Sequence, residues 1–219
     1  MLYWMVTMTD LHTRLKNAPV VPLVQADDPE TAVKTTRALA AGGLSVIEVV
    51  LRTPAALDCL QALCELDDDI IVGAGTVLSV DQASECFERG AAFLVSPGLD
   101  EATVQLAIDK KAPIFPGVMT PSEVMRARNL GLDTVKFFPA SIAGGIPALK
   151  ALSSVFGDMQ FMPTGGVSAA NLKDFLALPS VLACGGSWLT PKSAIAAGNY
   201  DEVTRLASEA VAIAKAVIG

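Results

Sequence analysis

The sequence predicts a (β/α)8 barrel, and three observations predict it. Eight short runs rich in β-branched residues recur along 219 residues, each followed by an alanine- and leucine-rich stretch of helical character. The runs are spaced at roughly two dozen residues, short but workable for eight strand–helix units. Capping residues, prolines and glycines stand at the joints where helices should start and stop.

Taken in order, the predicted strands cover residues 20–25, 46–52, 70–76, 93–97, 113–116, 134–139, 160–164 and 181–189, the last ending in loop. Asp28-Pro29, Thr53-Pro54 and Thr120-Pro121 each place a capping side chain before a proline at the first helical position. Thr120-Pro121-Ser122-Glu123 also fits a capping box. Gly42-Gly43, Gly90 and Gly131 sit where helices should end. No linker or low-complexity segment divides the chain, so residues 1–219 read as one domain. An open doubly wound sheet is the rival. Eight regular units favour closure into a barrel of the TIM type.

Composition narrows the function. At 52% hydrophobic residues the chain can fill a sizeable core. The net charge of −7 and the lack of a lysine or arginine block argue against nucleic acid as a partner. Cys59, Cys64, Cys86 and Cys184 form no C-x-x-C pair and read as buried reduced thiols. With one histidine, His12, read as a surface residue in a polar stretch, no metal site is expected. No apolar run is long enough to span a bilayer. The apolar stretch 1–8 lacks a basic n-region, so a cytoplasmic protein is expected.

Unusual residues gather at the predicted strand ends, where chemistry sits in a parallel barrel. Lys136, in Thr134-Val135-Lys136-Phe137-Phe138-Pro139, is the one lysine inside a predicted strand. Burying an ammonium favours the neutral amine, which is a nucleophile toward carbonyls. The alternative is a buried ion pair with a carboxylate. In Val46-Ile47-Glu48-Val49-Val50-Leu51-Arg52, Glu48 and Arg52 share a face by period two. They are catalytic and binding candidates, or an internal pair filling the barrel.

Gly73-Ala74-Gly75-Thr76 leaves space and a hydroxyl at the rim, although close helix packing would also explain it. Ser96-Pro97-Gly98 and Phe115-Pro116-Gly117 read as turn punctuation. Pro163-Thr164-Gly165-Gly166-Val167-Ser168 and Cys184-Gly185-Gly186-Ser187 end the last two strands. Paired glycines let backbone N–H groups approach an anion, and these two loops form the usual phosphate site of the fold. Two tight turns are the alternative.

Together these segments resemble the 2-keto-3-deoxy-6-phosphogluconate (KDPG) aldolase family, which includes enzymes that also cleave 4-hydroxy-2-oxoglutarate. The resemblance runs from about residue 20 to 189. It rests on Ile47-Glu48-Val49 through Arg52-Thr53, Val72-Gly73-Ala74-Gly75-Thr76-Val77, Ser96-Pro97-Gly98 and Pro116-Gly117-Val118-Met119-Thr120-Pro121-Ser122-Glu123. It continues in Val135-Lys136-Phe137-Phe138-Pro139-Ala140, Pro163-Thr164-Gly165-Gly166-Val167 and Cys184-Gly185-Gly186-Ser187. The set in this order is highly specific, and none of these positions departs from the family's pattern.

The resemblance implies a class I aldolase without cofactor, acting on a phosphorylated keto acid and typically trimeric. It implies that Lys136 forms a Schiff base with pyruvate and that Glu48 shuttles protons. It further implies that Arg52, Thr76 and Thr164 hold the pyruvyl carboxylate. Gly165, Gly166, Gly185, Gly186 and Ser187 would hold the phosphate. Two other readings stand beside it: an acid–base isomerase or epimerase with a phosphate-binding barrel, and a phosphosugar-binding barrel without catalysis.

Overall fold

The computed structural model describes residues 7–218. Most of the apolar 1–8 stretch therefore lies outside the described residues. Among the described residues there are nine strands: β1 (Val20–Val24), β2 (Val46–Val50), β3 (Ile71–Gly75), β4 (Leu94–Val95), β5 (Ile114–Phe115), β6 (Gly117–Val118), β7 (Thr134–Phe137), β8 (Gln160–Pro163) and β9 (Cys184–Gly186). The same residues form ten helices: α1 (Met8–Asn17), α2 (Pro29–Ala41), α3 (Ala56–Cys64), α4 (Val80–Glu88), α5 (Glu101–Asp109), α6 (Pro121–Asn129), α7 (Gly145–Val155), α8 (Ala169–Leu176), α9 (Lys192–Ala196) and α10 (Tyr200–Ile218). Each predicted strand contains an observed one.

All the strand pairs are parallel. One sheet has the order β5-β4-β3-β2-β1-β9 and the other β6-β7-β8. Only Pro116, which lacks a ladder donor, separates β5 from β6. Isolated parallel bridges Phe161↔Val181 and Thr164↔Gly185 run between β8 and the β9 side. The result is an α/β fold whose parallel strands curl around an apolar interior, with helices outside. Strands β1 to β3 are buried at every position, which is why their sequences read as near-continuous apolar runs rather than alternating ones.

Two clusters form the core. One lies between strands and helices and includes Val24, Leu39, Ile47, Leu60, Leu94, Phe137 and Leu172. The other fills the space inside the strands: Val21, Val46, Ile71, Phe93, Phe115 and Met162, closed by Leu11 and Leu15 from α1. Phe93 and Phe115 meet edge-to-face at 6.1 Å. Each fully buried leucine or phenylalanine contributes roughly 1.5–3 kcal/mol.

Helix α1 corrects the reading of its segment as merely polar. Thr7 and Asp10 form a capping box, and Leu11 and Leu15, four apart, put one apolar stripe onto the strand starts. Arg14 on the same helix pairs with Asp69. His12 is consequently not a surface residue: it is half-buried, and its Nε2 is enclosed without a hydrogen-bond partner. Burial lowers its pKa, against the smaller pull of Asp133. It lines a groove of about 680 Å³ with Asp133, Lys150 and Ser180, on the side where β7, β8 and β9 begin.

Two joints also differ from expectation. Asp28 and Thr120 cap α2 and α6 as predicted, and Thr120 shares its capping box with Glu123. Thr53 does not cap α3. Its Oγ1 donates to the Ala26 carbonyl at 2.7 Å, tying the β2 loop to the β1 loop, and α3 starts later without a side-chain cap. Gly117 is not turn punctuation: it pairs with Lys136 in β6, and a side chain there would strike the Pro97 carbonyl. Close approach of two backbones fixes a glycine at this point.

All four cysteines are free thiols; Cys59, Cys86 and Cys184 are buried and Cys64 half-buried. Burial pushes Cys64 and Cys86 up to about 12, which disfavours the thiolate form. Among the described residues no helix is long and apolar enough to cross a membrane.

Candidate active site

Glu48 and Lys136 come from opposite parts of the fold and meet inside it. Glu48 is central in β2 and paired with Leu23 and Gly73; Lys136 lies in β7, paired with Gly117 and Met162. Their relative exposures are 0% and 2%. Lys136 Nζ stands 3.7 Å from Glu48 Oε1. That separation is an electrostatic contact and too long for a hydrogen bond. Both Glu48 oxygens are buried without any hydrogen-bond partner.

A structural ion pair would saturate its carboxylate, because an unsatisfied buried oxygen is costly. This pair instead leaves both carboxylate oxygens as unmet acceptors beside a buried amine, which marks it as a candidate site rather than a structural bridge. The alternative of a Glu48–Arg52 pair is overturned. Arg52 is exposed, and its Nε donates to Thr76 Oγ1 at 3.1 Å.

The small residues of β3 are explained by side chains rather than by helix packing. A Cβ on Gly75 would overlap the Glu48 carboxylate, and one on Gly73 would overlap the Phe93 ring. These glycines make the space into which Glu48 extends. The next residue, Thr76, is held at φ 60, in the left-handed region that β-branched residues avoid. Such strain concentrates at functional sites. Here its hydroxyl accepts from Arg52 Nε, so a cation and a hydroxyl follow directly on Gly75, whose side-chain space Glu48 fills.

On the other side, Thr164 is buried and bridges to Gly185, where a Cβ would strike the Thr164 hydroxyl. Gly165 and Gly166 take φ of 91° and 82°, which only glycine adopts readily. Gly165 abuts the Phe138 ring, and that ring lies 5.0 Å from Lys136 Nζ. Gly166 abuts Ser141, whose backbone N–H donates to the Gly165 carbonyl at 3.0 Å. Among the described residues the amides of Gly166 and Ser187 find no protein acceptor, and Ser187 is exposed. Unpaired N–H groups in glycine loops are the donors from which anion-binding concavities are built.

The candidate residues thus fall into two linked groups. Glu48, Gly75, Thr76 and Arg52 form one, and Lys136, Thr164, Gly165, Gly166 and Gly185 the other, joined through the Glu48–Lys136 contact. Sequence reasoning passed over Phe138 and Ser141. Phe138 was within reach, since it shares a face with Lys136 two residues earlier. Ser141 had no signal, because its place depends on how the loop after β7 lies on the loop after β8.

The chain matches the family model for KDPG and KHG aldolases over residues 11–206. It is 47% identical to the KHG/KDPG aldolase of Escherichia coli strain K12, over 94% of this chain and 97% of that protein. It is 46% identical to the 2-dehydro-3-deoxy-phosphogluconate aldolase of Dickeya dadantii, covering 92% and 95%. Among solved structures, the KDPG aldolase of Legionella pneumophila superposes with TM-score 0.87 at 39% identity, over 90% of this chain and 96% of that one. In that crystal structure pyruvate is captured as a covalent carbinolamine intermediate.

Proposed function

The chain belongs to the KDPG and KHG aldolase family, and we propose that it cleaves 2-keto-3-deoxy-6-phosphogluconate to pyruvate and glyceraldehyde 3-phosphate through a Schiff base on Lys136. The observation that carries the assignment to these residues is the buried Lys136–Glu48 contact at 3.7 Å with both carboxylate oxygens unpartnered. Neither the isomerase reading nor the non-catalytic one gains support from the relatives.

Lys136 Nζ adds to the C2 carbonyl, and loss of water leaves an iminium. Glu48, directly or through water, removes the proton of the 4-hydroxyl group. The electrons of that O–H bond form the aldehyde carbonyl as the C3–C4 pair moves into the iminium. The product on the lysine is the enamine of pyruvate. Protonation at C3 and addition of water at C2 release pyruvate and restore the amine. Arg52 is a bidentate-capable cation for the pyruvyl carboxylate, with Thr76 and Thr164 as hydroxyl partners. The loops at Gly165-Gly166 and Gly185-Gly186-Ser187 receive the phosphate through backbone donors, with the Ser187 hydroxyl added. The same cavity without phosphate contacts accommodates 4-hydroxy-2-oxoglutarate, giving pyruvate and glyoxylate.

The architecture proposed for this chemistry is one closed (β/α)8 domain. Direct pairing of β1 with β9, continuity of β5 with β6 around Pro116 and the two β8–β9 bridges support closure. A homotrimer is the proposed assembly, and exposed Leu78 and Met119 offer apolar surface to a neighbouring copy. Four free thiols fit a reducing, cytoplasmic setting.

The test is incubation with pyruvate and borohydride, followed by the intact mass of the protein, alongside an assay of pyruvate released from both keto acids. A gain of one reduced pyruvyl group with turnover of at least one keto acid is expected. Turnover without any trapped adduct would exclude the imine.

A further inference from the structure

The strand register shows how the loop after β9 is kept open. Strands β1 and β9 pair as Val20↔Cys184, Val21↔Gly185 and Pro22↔Gly186, and the Cys184 amide donates to the Pro19 carbonyl at 2.9 Å. In a parallel ladder, donors toward one neighbour recur at every second residue. The rung after Gly186 would therefore be the Trp188 amide on the Leu23 carbonyl. It is not made: the Leu23 carbonyl instead accepts from Thr190 Oγ1 at 2.7 Å. Thr190 is buried, and its own amide turns back to the Ser187 carbonyl at 3.4 Å, closing residues 187–190 into a tight loop. The Trp188 ring covers Gly186. Among the described residues the amides of Ser187 and Trp188 are left without a protein acceptor.

We propose that Thr190 is a positioning residue for phosphate: its hydroxyl replaces a backbone rung on Leu23 and so releases the Trp188 amide, beside the unpaired Ser187 amide, to the substrate's phosphate. The inference rests on the aldolase reading for the identity of that phosphate but not for the loop geometry. Leu23 is also the β1 residue in register with Glu48. The tether therefore anchors the phosphate loop on the strand beside the carboxylate that serves the other end of the substrate. A threonine methyl and hydroxyl fit this buried spot, and valine keeps the shape while removing the donor.

The experiment compares the full-length protein with its Thr190→Val and Thr190→Ser variants. Amide resonances of Ser187 and Trp188 are followed during titration with inorganic phosphate, and KM is measured for the phosphorylated and unphosphorylated keto acids. Loss of one neutral hydrogen bond predicts a phosphate Kd and a phosphosubstrate KM raised about fivefold to tenfold in Thr190→Val. The KM for 4-hydroxy-2-oxoglutarate and the extent of pyruvate trapping should be unchanged, and Thr190→Ser should restore wild-type values. The proposal is overturned if phosphate does not shift the wild-type Ser187 and Trp188 amides. It is equally overturned if Thr190→Val weakens both substrates and trapping alike, or changes nothing. Failure of the wild type to trap pyruvate would instead remove the aldolase reading, while the amide titration would still decide the role of Thr190.

Discussion

The two ends of the strands are built to opposite specifications. At their starts, Val21, Val46, Ile71 and Phe93 pack against Leu11 and Leu15 of α1 in an apolar plug without charged members. Further along, β2 carries a buried carboxylate, Glu48, which meets a buried amine, Lys136, from β7. There both carboxylate oxygens lack partners, a threonine sits at positive φ, and glycines yield their side-chain space to Glu48 and Thr164. The first end spends its sequence on satisfied packing, the second on unmet polar groups. Packing and the proposed chemistry are therefore separable along a single strand: β2 enters the plug at Val46 and the buried contact with Lys136 at Glu48, two residues later.

Substitutions at the two ends should behave in opposite ways. The largest effect is expected from Lys136→Ala, which should abolish both cleavage and borohydride trapping while circular dichroism stays native. A variant that retained cleavage would break the comparison at its centre. Next comes Glu48→Gln, which keeps the shape, still forms some imine and should turn over slower by about 10²–10⁴. Near-normal steady-state turnover would remove Glu48 from proton transfer.

Leu15→Ala, at the other end, should lower unfolding free energy by roughly 2–5 kcal/mol in urea titration. Its kcat per folded molecule should be unchanged; a selective loss of kcat would show that the plug and the cavity are not independent. The smallest effect is assigned to Ser187→Ala. Removing one neutral donor should raise KM for the phosphorylated keto acid by roughly twofold to tenfold and leave pyruvate proton exchange intact.

Much of this division was legible in the sequence. Lys136 and Glu48 stand out because they are the one lysine and the one acid inside the predicted strands, and the paired glycines at 165–166 and 185–186 mark the two loops proposed to receive phosphate. Their meeting was not legible, because it depends on how strands from β2 and β7 face one another across the interior. The plug was misread for a related reason. Leu11 and Leu15 are only two apolar positions among polar neighbours, and their worth appears once the strand starts they cover are in place. Thr53 resembles a cap in sequence, but a long-range carbonyl at Ala26 competes for its hydroxyl. Likewise, nothing in the sequence around Gly117 reveals that the Pro97 carbonyl will pass close by.

The central claim is that the amine buried at the ends of the strands is the group that captures the substrate. Its most direct test is to reduce the wild-type protein with borohydride in the presence of pyruvate, digest it and locate the adduct by peptide mass. The expected result is one reduced pyruvyl group on the peptide carrying Lys136 and none on the other eight lysines. An adduct on any other lysine, with Lys136 unmodified, would contradict it.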